Sequence, residues 1–229
     1  MEPLLPPELA RLGPDELFVN ELFSSIQGEG TDAGRPCFFI RLAGCPLRCS
    51  WCDTQYAFRE GRVLRVRECV DAALASGLGL VEVTGGEPLL QKSVHGLLRE
   101  LCDRGLEVLL ETSGSVPIDS VDPRVRRIVD WKCPGSGMDA RNQPSVLPAL
   151  RLGDELKLVL KDRADYEWAR NWLESVRGRI PAGVPVHLSA VFGTLPPERL
   201  ARWILEDRLP VRLNLQIHKW IWGPDVRGV

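Results

Sequence analysis

The sequence lacks a surplus of charge: 29 Lys and Arg stand against 31 Asp and Glu, a formal net charge of −2 over 229 residues. Bulk attraction to nucleic acid or to anionic lipid is therefore not encoded, and only a local basic patch would leave such partners open. Long apolar runs are missing near the middle of the chain, where the uncharged stretch 72–81 is about half of what a membrane-spanning helix needs. The opening Met1-Glu-Pro-Leu-Leu-Pro-Pro has neither the basic start nor the apolar stretch of a secretory signal. These absences predict a soluble, cytoplasmic protein with no membrane and no nucleic-acid partner. No internal repeat, low-complexity tract or Pro/Gly/Ser linker interrupts the chain. That predicts one domain over residues 1–229, with residues 1–15 as an amino-terminal extension.

What is present is an ordinary globular composition, 44% hydrophobic and 26% charged. A chain of this size buries roughly 70% of its unfolded surface, so its stability requires neither disulfides nor a structural metal. Its seven cysteines (Cys37, Cys45, Cys49, Cys52, Cys69, Cys102 and Cys133) are an odd set, and an intracellular setting keeps thiols reduced. Their expected work is ligation or packing.

Short aliphatic runs alternate with amphipathic segments, the pattern of a mostly parallel sheet joined by crossovers. Strands are predicted at 37–42, 80–84, 107–111, 127–131, 155–161, 185–191 and 212–218. Val66, Cys69, Val70, Ala73 and Leu74 share one helical face, as do Val94, Leu97, Leu98, Leu101 and Cys102. Ala169, Trp172, Leu173 and Val176 mark a third helix, and Leu200, Trp203 and Ile204 a fourth. Gly105 suits the left-handed position that ends the second. The segment 115–126 carries Pro117 and Pro123 and little helical pattern, which predicts an irregular crossover and an incomplete ring of helices.

Most of the early strand candidates terminate in chemically useful groups: Thr84-Gly85-Gly86-Glu87-Pro88, Glu111-Thr112-Ser113-Gly114 and Asp130-Trp131-Lys132-Cys133-Pro134. In a parallel barrel or open α/β sheet these ends share one face, where sites are built. The first strand is followed by Cys45-Pro-Leu-Arg-Cys49-Ser-Trp-Cys52, a C-x3-C-x2-C run. Three thiolates on one loop can hold three irons of a 4Fe–4S cube and leave the fourth iron open to a small molecule. Spacing alone also admits a zinc site that recruits Cys133 or Cys37, or plain buried cysteines.

This spacing, followed by Asp53-Thr54 and by the Gly-Gly-Glu-Pro turn after the next strand, resembles the radical S-adenosylmethionine (SAM) superfamily. The resemblance implies an α/β fold, an incomplete (β/α)6-type partial barrel with fewer helices than strands. It also implies a 4Fe–4S cluster on Cys45, Cys49 and Cys52 that binds SAM, donates one electron and releases methionine plus a 5′-deoxyadenosyl radical. The flanking motifs are more specific. Phe23-Ser-Ser-Ile26-Gln27-Gly28-Glu29-Gly30, Gly34-Arg-Pro36, Phe39-Ile40-Arg41-Leu42 and Gln216-Ile-His218-Lys219, together with the strand-end motifs above, resemble the 7-carboxy-7-deazaguanine synthases over almost the whole chain.

What this second resemblance implies is a carbon–nitrogen lyase. Its reaction is the SAM- and Mg2+-dependent ring contraction of 6-carboxy-5,6,7,8-tetrahydropterin to 7-carboxy-7-deazaguanine with release of ammonia, towards queuosine and other 7-deazapurines. The radical is borne by the cofactor, so no side chain is expected to carry it, and SAM is regenerated. Carried onto this chain, the resemblance assigns Thr54 to Mg2+. It assigns Trp51, Cys52, Asp53, Gly86, Ser113, Lys132, Cys133 and Pro134 to SAM. Ile26, Gln27, Gly28, Glu29, Arg41, Thr84, His218 and Val229 fall to the substrate. It further implies a homodimer and an electron donor such as flavodoxin or ferredoxin.

The residue types suit these roles: Gln27, the Gly28 backbone and Glu29 can face a flat pterin edge, and Arg41 can grip a carboxylate. A lone threonine suffices for Mg2+, which keeps waters and takes few protein groups. Taken singly, the same residues also read as a surface turn at 27–30, a solvated strand-end charge at Arg41 and a turn residue at Thr54. His95 and His187 read as structural, whereas His218 ends the last predicted strand on the side of the pocket. Trp220 and Trp222 could cover the pocket or bury a dimer contact, with core packing the safer reading. Two other functions remain open. One is a glycyl-radical-enzyme activase of the same superfamily, with a partner-protein surface and no need for Gln27 or Arg41. The other is a zinc-stabilised binding module held by Cys45, Cys49, Cys52 and Cys133.

Overall fold

Aliphatic runs bounded by turn residues form strands here, and helical or irregular crossovers return the chain to the same end of the sheet, which makes the strands parallel. The computed structural model describes residues 4–229, so the first three residues of the expected extension lie outside the described residues. In chain order the elements begin with β1 (Glu16–Ile26), β2 (Pro36–Leu42), β3 (Arg62–Arg65), α1 (Val66–Ala75), β4 (Leu80–Gly85) and α2 (Val94–Asp103). They continue with β5 (Glu107–Thr112), β6 (Arg126–Asp130), α3 (Val146–Ala149), β7 (Glu155–Leu160) and α4 (Arg163–Ser175). The last are β8 (Val186–Ala190), α5 (Pro197–Asp207), β9 (Arg212–Asn214) and α6 (Ile217–Ile221).

The strands form one sheet of order β3-β1-β2-β4-β5-β6-β7-β8-β9. From β2 to β9 every pairing is parallel; β1 pairs antiparallel with both β2 and β3. This is an α/β partial barrel with fewer helices than strands, as expected. The β5–β6 crossover contains no helix among the described residues. Gly105 adopts φ +79° directly after α2, where it ends the helix in the left-handed conformation.

Three expectations need correction. β1 and β3 were not anticipated, because a register shift between Val19 and Glu21 breaks the alternation of β1, and β3 is a four-residue exposed edge. The last strand stops at Asn214 rather than reaching residue 218, and His218 lies in α6. Trp220 and Trp222 are exposed at 67% and 45%, so they are not core residues; Trp220 meets Phe192 edge-on.

Side chains alternate across each strand. One set, including Ile40, Leu42, Val81, Val83, Val108, Leu110, Leu156 and Leu158, packs under the helices as the main core. The opposite set faces the barrel interior. Its lower layer is apolar (Cys37, Phe39, Leu80, Leu109 and Ile128, with Phe23). Above it stand Arg41, Glu82, Thr84, Glu111, Asp130 and Lys157, all lining cavities.

Candidate active site

The loop after β1 runs across the open barrel and is tied to strand after strand. Gln27 Nε2 donates to Glu82 on β4, and Arg126 on β6 pairs with Asp32. The Thr31 backbone N–H donates to Glu155 on β7 at 3.1 Å, and the Gly30 N–H to Asn214 Oδ1 on β9 at 2.8 Å. Glu155 is buried and lies 2.8 Å from Nε2 of the buried His187. A segment that reads alone as a surface turn is thus a wall of the barrel interior.

The cysteine loop is stitched to the ends of the first strands. Gly86 N–H donates to Leu42 O at 3.0 Å and Glu87 N–H to Gly44 O at 2.8 Å. A β-carbon on Gly86 would lie 2.2 Å from Gly44 O, and one on Gly85 2.1 Å from Leu42 O. Both positions need glycine because backbone meets backbone there. Glu87, fully buried, accepts from Thr112 Oγ1 at 2.9 Å and from the Ser113 N–H at 2.8 Å, which joins the turn to the end of β5. Arg48 donates to Cys45 O at 2.9 Å and stacks on Phe58, closing the loop on itself.

Two cavities open on the barrel interior. The first is lined by Cys45, Cys49, Trp51, Cys52, Asp53 and Thr54 from the loop, by Gly85 and Gly86, and by Ser113, Asp130, Lys132, Lys157 and Gln216. The second is lined by Phe23, Ile26, Gln27, Gly28, Glu29, Phe39, Glu82, Ile128, His218 and Val229. Arg41, Thr84 and Glu111 line both. The cavities therefore adjoin across these three side chains.

Charge inside the barrel is arranged around Lys157. Its Nζ lies 3.0 Å from Glu29 Oε2, contacts Glu111 Oε1 and lies 3.7 Å from Asp130 Oδ2. Burial pulls the Lys157 ammonium down, but Glu111, Glu29 and Asp130 outweigh it and hold the group charged. Burial likewise raises Glu111, and Lys157 outweighs that to keep it ionised. Lys132 stands 3.1 Å from Asp130 and its backbone is clamped by the Asn142 side chain at 3.0 and 2.9 Å. Arg41 Nε donates to Glu21 Oε2 at 3.0 Å, and Tyr56 OH donates to the same oxygen at 3.1 Å. Burial lowers His218, which leaves its imidazole neutral at pH 7. Asp53 pairs with Lys219; burial opposes the pairing and loses, and the carboxyl sits at about 2.

The structure brings all eight residues assigned to the substrate to the second cavity, and the first cavity gathers the three loop cysteines with Thr54, Trp51, Asp53, Gly86, Ser113 and Lys132. Cys133 and Pro134 do not join them. Cys133 is packed in the main core, and Pro134 opens a short 3-10 turn. Glu82, Glu111, Asp130, Lys157 and Gln216 were not singled out as site residues. Their signal is weak: a lone charged or polar residue at every second position of an aliphatic run, as in Leu80-Val-Glu82-Val-Thr84.

The profile of the Radical SAM superfamily matches residues 39–132. The 7-carboxy-7-deazaguanine synthase of Chlorobaculum tepidum is 47% identical over 219 residues, covering 93% of this chain and 97% of that protein. The enzyme of the same name from Koribacter versatilis is 42% identical over 92% of this chain and 99% of its own length. The chain belongs to the 7-carboxy-7-deazaguanine synthase family. The enzyme of that name from Pyrobaculum aerophilum is 48% identical, covering 92% of this chain and 96% of its own. The fold is similar to that of a solved structure, QueE from Escherichia coli, with TM-score 0.73 and 22% identity over 88% of this chain and 94% of that one. The family assignment sets aside the activase and zinc-module alternatives.

Membership in the superfamily implies a 4Fe–4S cluster and SAM, and the residues fit that pair. Three thiols from one loop line one cavity, as three corners of a 4Fe–4S cluster require, and leave one iron open to SAM. Burial pushes the Cys45 thiol up to about 11 and also raises Cys49 and Cys52, so ligation would release their protons. Beside them Asp130 lines the same cavity, and its buried Oδ1 has no hydrogen-bond partner among the described residues.

Proposed function

We propose that this chain converts 6-carboxy-5,6,7,8-tetrahydropterin to 7-carboxy-7-deazaguanine with release of ammonia, on the route to queuosine and other 7-deazapurines. The observation that carries the reading is the junction of the two cavities at Arg41, Thr84 and Glu111. A cofactor seated against the cysteine loop and a substrate seated against residues 26–29 would meet there without an intervening wall.

When bound, the cluster and SAM supply one-electron chemistry and a hydrogen-abstracting radical. The chain's own work is binding, orientation and exclusion of water. Cys45, Cys49 and Cys52 would hold the cluster; Trp51, Asp53, Gly86, Ser113 and Lys132 would flank SAM. Thr54, whose hydroxyl donates to Asp53 at 2.9 Å, keeps oxygen lone pairs for Mg2+, whose shell substrate oxygens and water would complete. Arg41 would grip the substrate carboxylate, as a guanidinium held by Glu21 can still present its outer N–H groups. Glu111, which Lys157 keeps ionised, would accept from the ring's N–H groups, beside Glu29, whose Oε2 lies 3.0 Å from the same ammonium. Phe23, Phe39 and Ile128 form the dry floor that keeps water from a reactive intermediate.

The reductant is proposed to be a flavodoxin or ferredoxin, and the active form a homodimer, a point that sedimentation tests. The decisive variants separate the two cavities. Cys49→Ala should abolish SAM cleavage and product formation together, whereas Arg41→Ala should raise the substrate KM while SAM cleavage survives. Full turnover by Cys49→Ala would overturn the reading.

A further inference from the structure

Glu82 is a buried carboxyl with no ion-pair partner among the described residues. It sits on the inner face of β4, 4% exposed, in register with Phe39 on β2 and Leu109 on β5, and lines the second cavity. Its hydrogen bond is to an amide: Gln27 Nε2 donates to Glu82 Oε2, and Gln27 Oε1 in turn accepts from the Glu29 N–H at 3.1 Å. The remaining oxygen, Oε1, is left to the cavity. The charged and titratable groups around it come from every neighbouring element. They are Cys37 and Arg41 on β2, Glu111 on β5, Lys157 on β7, Glu29 on the loop after β1 and His218 on α6. The two cations among them are committed: Lys157 to Glu111, Glu29 and Asp130, and Arg41 to Glu21.

We propose that Glu82 is a specificity-determining residue of the second cavity: held as a neutral carboxylic acid, it donates a hydrogen bond from Oε1 to an acceptor atom of the substrate ring. The proposal rests on the substrate reading above and deepens it. Burial, and then the neighbouring Glu111 carboxylate, push Glu82 up to about 8, which supports the neutral form at physiological pH. A protonated carboxyl offers one donor besides its carbonyl acceptor, and here the acceptor is already used by Gln27. The cavity thus sets one donor against two acceptor carboxylates, Glu29 and Glu111. A ring that carries a carbonyl oxygen or unprotonated nitrogen beside N–H groups matches this pattern; a ring with N–H groups alone, or acceptors alone, leaves buried groups unpaired.

The test is anaerobic calorimetric titration of cluster-loaded, SAM-bound enzyme with carboxytetrahydropterin, without reductant, across about pH 7 to 9, roughly one unit either side of the shifted carboxyl. Glu82→Gln, a neutral donor at every pH, is expected to bind within about threefold of wild type at pH 7, and Glu82→Leu about tenfold or more weakly. Above pH 8 the wild-type affinity should fall relative to that of Glu82→Gln, because only the wild type loses its donor. Equal pH profiles for wild type and Glu82→Gln would overturn the proposal, even if Glu82→Leu failed to fold. Unchanged binding by a folded Glu82→Leu would do the same. Wild-type enzyme that cleaves SAM yet binds no tetrahydropterin would instead overturn the substrate reading, and this proposal with it.

Discussion

Gly28 and His218 are packed so closely that a β-carbon on Gly28 would lie 1.9 Å from His218 Nδ1. Gly28 O also accepts from the Ile217 N–H at 3.0 Å, so the loop after β1 and the start of α6 hold each other beside the second cavity. Gly28→Ala must displace the imidazole. The expected outcome is a rise in substrate KM of about tenfold or more with folding retained. In a double-mutant cycle, His218→Ala should remove most of the extra penalty of Gly28→Ala. Additive losses would show that the contact does not matter to binding.

Gly86 makes a second prediction, on the other cavity. Its neighbour is Gly44 O, at the root of the cysteine loop, and that oxygen belongs to backbone that cannot swing aside. Gly86→Ala should therefore disturb the loop and lower the iron bound after anaerobic reconstitution, to about half of wild type or less. Iron and sulfide analysis checks it, with melting temperature as the control for global folding.

Glu82 predicts a pH dependence of stability. Its carboxyl lies at about 8 in the fold against an ordinary 4.5, so between these values the unfolded chain has lost a proton that the folded chain keeps. Stability consequently falls as pH rises through this window. Glu82→Gln removes that contribution. The variant should match wild type near pH 5 and exceed it at pH 8 by an amount on the order of a few kcal/mol, read from denaturant unfolding.

Arg127 predicts a purely structural loss. It is buried on β6, paired with Asp154, and also donates to Ala149 O at 2.8 Å and Ile118 O at 3.2 Å. Arg127→Met leaves Asp154 as an unpaired buried charge, at a cost of about 3–5 kcal/mol. For a chain of this length that is roughly 10 °C in melting temperature. The substrate KM of whatever folds at low temperature should be unchanged.

Six of the seven parallel strands, β2 and β4 to β8, were legible because each carries an aliphatic run that packs under helices, and a run of that kind is visible without its partners. β1 escaped because its bulge breaks the alternation. The end of β9 was misread for the opposite reason. Leu213-Asn-Leu-Gln-Ile alternates like a strand, yet the Ile217 N–H turns to Gly28 O and the chain enters α6. The cysteine run and its flanking motifs were readable as local strings. Glu82 and Lys157 were not, because their partners are remote: Gln27 lies 55 residues from Glu82, and Glu29 lies 128 residues from Lys157. A charge inside a hydrophobic run acquires meaning only when the barrel closes around it.

The central claim, that the cysteine loop and the loop after β1 form one reactive site, is tested most directly by turnover. Reconstituted protein would be incubated anaerobically with SAM, Mg2+, reductant and carboxytetrahydropterin, and the products identified by absorbance and mass. The predicted result is a deazapurine chromophore at the mass of the substrate less ammonia, formed over many turnovers per SAM. SAM cleaved to methionine and 5′-deoxyadenosine, with the pterin recovered intact, would contradict it.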